Sequence, residues 1–231
     1  MRSSADFARR LAAATTVMFI DGGTATAILM RHGETAWNRD RRVMGDLDIP
    51  LSDDGRLQSG HAARLLESFA IDRIVSSPLV RAKETAEIVA QHLGRTIETD
   101  PRLVEVRFGE WQGKTYEEVA TDPRYHGFAT DPVANATPGG DTAESVQRRG
   151  LESLATLRAG ECVLFVTHGD IIRTLICHFL ATPLVAYRRI RTDNGGLSAI
   201  AIGAGAPEVK FLNMLADPER ARSHTHWSAT A

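Results

Sequence analysis

The sequence predicts an α/β fold: one three-layer α/β/α domain with a mostly parallel central sheet. Apolar strand-like runs alternate with segments of helical periodicity through most of the chain. No internal repeat, low-complexity tract or linker divides residues 24–215. Two of the apolar runs end in a histidine followed by a glycine, His32-Gly33 and His168-Gly169, where such sheets place their chemistry. A chain of 231 residues, 43% hydrophobic and 24% charged, suits one globular unit with a sizeable core.

The first strand is expected over residues 26–31, its run Ile28-Leu29-Met30 closing on Arg31-His32-Gly33-Glu34. A helix follows from Ser52, a good N-cap, with Leu57, Leu65, Leu66 and Phe69 on one face. Ile71 to Val75 is the next strand. Ser77-Pro78 then predicts a helix start, Ser as N-cap and Pro in the first position, running to about Leu93 before Gly94. An extended piece lies within Thr96 to Leu103. From about Glu105 to Gly140 the many Gly and Pro residues predict a long irregular region of the kind that carries function.

A further helix begins at Asp141 or Thr142, with Val146, Leu151, Leu154 and Leu157 apolar and Gly160 as its stop. Cys162 to Val166 reads as a buried strand, and His168-Gly169 opens a helix whose inward stripe is Ile171, Ile172, Leu175, Ile176 and Phe179. Two late strands, Leu197 to Ile202 and Glu208 to Leu212, complete the sheet.

A net charge of −2 offers no general attraction to nucleic acid or to an acidic membrane, so anion binding must come from clustered Arg and His. Cys162 and Cys177 form neither a redox pair nor a metal-ligand spacing and read as core residues in a reducing compartment. His61, His92, His126, His178, His224 and His226 show no grouping with cysteine. Residues 216–231 form a polar C-terminal tail. At the other end, Arg2, Arg9 and Arg10 precede Leu11 to Ile20 in the manner of a secretory signal, but cleavage after Ala25-Thr26-Ala27 would cut into the strand that carries His32. Residues 1–23 are therefore expected to be an unprocessed extension, or a start placed too early with Met18 the real one, and the protein to be cytoplasmic, with export through residues 1–27 the minor alternative.

A strand-end histidine beside a guanidinium suits nucleophilic attack on an anionic group. Two such histidines in one sheet can converge on one crevice. Arg81 lies in the first turn of its helix, where the macrodipole disfavours a cation, so its placement asks for an anion, and the helix N-terminus would add backbone donors.

Four segments together resemble the signature blocks of the histidine phosphatase superfamily, in the family's order. They are Leu29-Met30-Arg31-His32-Gly33-Glu34-Thr35-Ala36-Trp37-Asn38, Ser76-Ser77-Pro78-Leu79-Val80-Arg81, Leu103-Val104-Glu105-Val106-Arg107-Phe108-Gly109-Glu110-Trp111, and Val166-Thr167-His168-Gly169. The branch resembled contains the cofactor-dependent phosphoglycerate mutases and related broad-specificity phosphatases, and the likeness spans about residues 26–214. It implies a phosphoglycerate mutase-like fold with His32 as the nucleophile that becomes phosphorylated. Arg31, Arg81 and His168 would form the phosphate pocket, Asn38 would add a neutral donor, and Glu105 would be the proton donor that later activates water. Gly33 and Gly169 would keep bulk away from the ligand. Gly45 sits where the family makes substrate contacts, and Met44 departs from the polar residue usual there. Phe108 and Trp111, near the expected mouth, mildly favour a substrate with an apolar or aromatic part, although packing is the ordinary role of Trp111, Phe108 and Trp37.

The shared pocket does not separate mutases from phosphatases. The segment from Glu105 to His168 is short, however, and its basic residues are only Arg107, Lys114, Arg124, Arg148, Arg149 and Arg158. Mutases resembling this family carry a longer insertion there, with basic residues that hold the phosphoglycerate carboxylate and shield the phosphohistidine. The expectation is a metal-independent phosphomonoester hydrolase that needs no cofactor and takes a small phosphorylated metabolite, not nucleic acid or membrane. A mutase or a silent phospho-ligand binding module is the alternative.

Overall fold

The computed structural model describes residues 23–216, so the readings placed on residues 1–22 and on the tail from 217, His224 and His226 included, lie outside the described residues. The elements are β1 (Ala25–Arg31), α1 (Ala36–Arg39), α2 (Asp53–Leu66), β2 (Arg73–Ser76), α3 (Val80–Leu93), β3 (Ile97–Thr99), α4 (Tyr116–Ala120), α5 (Tyr125–Thr130), α6 (Ala143–Leu154), β4 (Cys162–Thr167), α7 (Gly169–Phe179), β5 (Leu197–Ile202) and β6 (Glu208–Met214).

The six strands form one sheet in the order β3-β2-β4-β1-β5-β6. β3, β2, β4 and β1 run parallel, β5 is antiparallel to β1 and β6 antiparallel to β5, so the sheet is mostly parallel as expected. Side chains of β1 alternate between two cores, the signature of a strand covered on both faces. Ala25, Ala27 and Leu29 join Val163 and Phe165 of β4 in a cluster with Val146 and Leu154 of α6 and Ile171, Ile172, Leu175 and Ile176 of α7. Ile28 and Met30 join Leu164 and Val166 in the opposite cluster, closed by Ala62, Ala63 and Leu66 of α2 and Ala82, Ala86 and Val89 of α3. The strand ends that matter lie between these layers.

Several boundaries differ from the sequence reading. α3 starts at Val80 with Leu79 at the N-cap, not at Pro78, because the Ser77 hydroxyl turns toward His168 and the Val80 N–H finds its acceptor in Asp48 Oδ1 at 2.8 Å. Leu57 is 63% exposed, and α2 instead buries the small and polar face Gly55, Gln58, Ser59, Ala62 and Ala63 beside Leu66. α6 ends at Leu154, well short of Gly160, although Leu157 still packs into the core from the turn beyond. The region expected to be irregular holds two short helices. Thr115 and Glu118 make a reciprocal capping box that nucleates α4, a T-x-x-E signal at its N-terminus. Val119 of α4 and Phe128 of α5 bury themselves with Val43 and Trp111 in a small core of their own, a roof over the C-terminal ends of β1 and β4.

Candidate active site

Strand register explains why the two histidines meet. Arg31 of β1 pairs with Thr167 of β4, so the next residue in each strand, His32 and His168, leaves the sheet at the same level. The His32 N–H completes the ladder on the Thr167 carbonyl at 3.0 Å, and the two imidazole centroids lie 5.2 Å apart. β2 ends one step away, where the Ser77 N–H donates to Val166 O, which sets Ser77 Oγ 2.8 Å from His168 Nε2.

The His32 ring has a defined tautomer. Nδ1 lies 2.6 Å from the Gly33 carbonyl, which can only accept, so the proton sits on Nδ1 and the in-plane lone pair on Nε2. Arg81 Nε donates to that lone pair at 3.3 Å. Burial, reinforced by the charges of Arg81 and Arg31, holds the His32 pKa well below the ordinary 6.5. His168 is held well below 6.5 in the same way, burial first and Arg81 next. Both rings are therefore neutral near pH 7, and neutral imidazole is the nucleophilic form.

Arg81 is buried and aimed by the loop after α1. Nη2 donates to Gly45 O and Nη1 to Leu47 O, each at 2.7 Å, and burial pulls its pKa down to about 10. Gly45 takes φ +57°, a left-handed conformation that presents its carbonyl to the guanidinium. Arg31 Nη1 donates to Thr192 O at 2.7 Å. Its Nε and His168 Nδ1 are buried with no hydrogen-bond partner among the described residues.

Asn38 fits the expectation of a neutral donor. Its Oδ1 accepts from the Thr35 N–H, the Thr35 hydroxyl and Asn194 Nδ2, which leaves the Nδ2 amide as what it can offer the cavity. Two of the backbone donors expected at the start of α3 are already taken, the Val80 N–H by Asp48 and the Leu79 N–H by Ser77 Oγ. Nor does Gly33 spare room for a ligand: a Cβ there would fall 2.3 Å from Gly55 O, so this glycine lets α2 pack against the strand end.

Glu105 reaches the same cavity from the loop after β3. Oε1 accepts from the Val106 N–H at 3.0 Å, and Oε2 lies 3.4 Å from the Asp170 N–H at the start of α7. Burial and the nearby Asp170 raise its pKa, against the opposing pull of Arg81 and Arg31. Arg149 of α6 grips the segment from behind, donating to the carbonyls of Arg102, Val104 and Glu105. The group is thus a carboxyl whose ionisation is made harder by burial and by Asp170, held near two guanidinium ions and a neutral histidine.

Of the expected catalytic and phosphate-holding residues, all but His168 line a cavity of about 300 Å³. Arg31, His32, Arg81, Glu105 and Asn38 are brought together at one end, with Gly45, Met44, Phe108 and Trp111 also on its wall. Trp111 is only 1% exposed; its indole N–H donates to Asp122 Oδ2 at 2.9 Å and its ring meets Phe128 edge-on, so it is packing. Met44 is likewise 9% exposed, its sulfur 3.2 Å from the Thr35 hydroxyl. Sequence reading missed Ser77 as a partner of His168, Thr192 and Asn194 as supports of Arg31 and of the His32 carbonyl, and Asp170, Arg173 and Arg188 on the wall. Asn194-Gly195-Gly196 reads only as a turn, and nothing in its spacing points to His32. Among the described residues no group of three or more His, Cys, Asp or Glu is arranged to hold a metal ion, and no helix is long and apolar enough to cross a membrane.

Comparison with known proteins gives this geometry a family. GpmB of Yersinia pestis (strain Pestoides F), named a probable phosphoglycerate mutase, is 34% identical over 180 residues, covering 74% of this chain and 82% of that protein. The solved structure of Bacillus stearothermophilus YhfR is 35% identical with a TM-score of 0.76 and covers 80% of this chain and 95% of that one. Phosphoserine phosphatase of Entamoeba histolytica, solved in complex with 3-phosphoglyceric acid, is 28% identical with a TM-score of 0.74 and covers 82% and 97%. Residues 27–215 match the histidine phosphatase superfamily (branch 1), and the chain belongs to that family.

Proposed function

We propose that the protein is a phosphomonoester hydrolase that acts on small phosphorylated metabolites through a phosphohistidine. The observation that carries hydrolysis over mutase-type transfer is the character of the roof. None of Arg107, Lys114, Arg124, Arg148, Arg149 and Arg158 lines the cavity. Arg107 pairs with Asp141, Arg124 with Asp122 and Glu110, and Arg149 holds backbone carbonyls. The segment between Glu105 and His168 therefore contributes no cation to the cavity, which favours water as the acceptor of the phosphoryl group.

In the first step His32 Nε2 attacks phosphorus and the bond to the leaving oxygen breaks, with Glu105 giving that oxygen its proton. Arg31, Arg81, His168 and the Asn38 amide hold the equatorial oxygens, whose charge they stabilise in the transition state. In the second step the Glu105 carboxylate takes a proton from water as the water oxygen attacks phosphorus. The P–N bond breaks, inorganic phosphate leaves, and His32 and Glu105 return to their starting forms. Phosphate release from p-nitrophenyl phosphate and a panel of alkyl phosphomonoesters tests the reading. His32→Ala is expected to lose at least about 10³-fold in kcat. Equal rates in wild type and variant would remove His32 from the mechanism, and interconversion of 2- and 3-phosphoglycerate with little phosphate release would favour the mutase.

A further inference from the structure

Six arginines line the cavity, Arg31, Arg41, Arg42, Arg81, Arg173 and Arg188. Five are engaged by the protein. Arg31 and Arg81 bond to carbonyls of the floor, Arg41 pairs with Glu117, Arg42 donates to Gly113 O, and Arg173 pairs with Asp170 at 2.7 Å and donates to Ile190 O. Arg188 differs. It comes from the 3-10 turn Leu184–Arg189 after α7, and its guanidinium carbon stands 4.8 Å from the centroid of the Phe128 ring. No other partner engages it among the described residues. Stacking on a buried ring orients the guanidinium without neutralising its charge or using its N–H donors.

The remaining wall narrows what those donors are for. Asp170 is already paired with Arg173, and the phosphoryl group would take up Arg31 and Arg81, so Arg188, exposed to solvent on the cavity wall, is the arginine left without an ion pair or hydrogen bond. Phe128 has one face covered by Arg188 and Trp111 is buried, which leaves Phe108, Tyr116 and Tyr125 as the aromatic surface of the wall. A cavity of about 300 Å³ equals roughly ten water volumes, room for a phosphoryl group and a body of a few heavy atoms.

We infer that Arg188 is a specificity-determining residue that receives the carboxylate of a small phosphorylated acid whose phosphoryl group lies on Arg31, His32 and Arg81. A planar guanidinium with its fork unclaimed matches a planar carboxylate in two parallel hydrogen bonds. The inference rests on the hydrolase reading, and its test separates the two.

The full chain, Arg188→Gln and Arg188→Lys are compared on 3-phosphoglycerate and glycerol 3-phosphate, which differ in having or lacking the carboxylate, with p-nitrophenyl phosphate reporting that chemistry proceeds. The ratio of kcat/KM for the acid to that for the alcohol is expected to fall about tenfold in Arg188→Gln, chiefly through KM, with Arg188→Lys between. A ratio that stays within about twofold of wild type would overturn the inference while leaving hydrolysis standing. Silence of the wild type on all three esters would instead sink the hydrolase reading. Calorimetric binding of the same acid and alcohol then decides the role of Arg188: the variant should lose the preference for the acid, and an undiminished preference would overturn it.

Discussion

The floor of the cavity hangs from the sheet, whereas its roof is held by a core of its own. On the floor, Arg31 and Thr167 pair in register and the histidines follow, so the geometry of His32 and His168 is inherited from a ladder buried between two helical layers. In the roof, Val43, Trp111, Val119 and Phe128 bury one another, and the first of two short helices is nucleated by local capping. The floor places the atoms that would make and break bonds; the roof sets the shape and charge offered to the rest of the substrate. Chemistry is thereby partly insulated from changes that alter selectivity, because the two regions draw on different cores joined through Phe108.

The largest expected effect probes that separation directly. Trp111→Ala removes the biggest buried side chain of the roof cluster and should cost about 3–5 kcal/mol locally. Hydrogen exchange should show lost protection over Tyr116–Thr130 while β1 and β4 stay protected; loss in step across the sheet would mean the roof is not a separate unit.

Glu105 lies where the two regions join, and its substitution sharpens the contrast. Glu105→Gln should slow hydrolysis of an alkyl phosphate by about 10²-fold or more, and that of p-nitrophenyl phosphate much less, since a nitrophenolate leaves without a proton. The same variant should be more stable at pH 7. With its pKa raised above 4.5, ionising Glu105 costs stability that is intact at lower pH and lost as pH rises. The gain in melting temperature should therefore disappear near pH 4, and an equal gain at both values would contradict the electrostatic account.

A smaller loss is expected from Gly33→Ala, which forces a methyl group against Gly55 O and should destabilise by about 1–3 kcal/mol. Because the clash is with α2 and not with the ligand, denaturant midpoint should fall more than phosphate affinity.

The mildest effect is on the acid side. His32 and His168 have folded pKa values below the ordinary 6.5, so the unfolded chain binds more protons as pH falls through that value. The stability they contribute is present above pH 6.5 and is lost on acidification. Urea midpoints at about pH 7 and 5.5 should differ less for His168→Gln than for wild type, and an unchanged difference would place the acid sensitivity elsewhere.

How much was legible in the chain follows the same division. Strand-end histidines, the apolar runs beneath them and the glycines that follow them are local signals, and Arg31, His32, Arg81, Glu105 and Asn38 do line one cavity. Helix boundaries were less legible where a distant group decides them: Ser77 is a good N-cap by type, but His168 claims its hydroxyl. Leu57 was misassigned because its helix packs through Gly55, Ser59 and Ala62, where small residues, not large apolar ones, allow close approach to the strand end. Thr192, Asn194 and Arg188 carried no signal at all, since their roles depend on contacts with residues far away in sequence that only the folded topology creates.

One short contact has a consequence for the covalent product. The bond from His32 Nδ1 to the Gly33 carbonyl withholds that nitrogen from substrate and leaves Nε2 alone as donor of the electron pair. On the proposed chemistry the trapped enzyme would carry its phosphoryl group on Nε2, the isomer more distant from the main chain. Isomer-selective antibodies or the phosphorus chemical shift of the quenched protein would then read out, in a single regiochemical label, which way one imidazole ring is held.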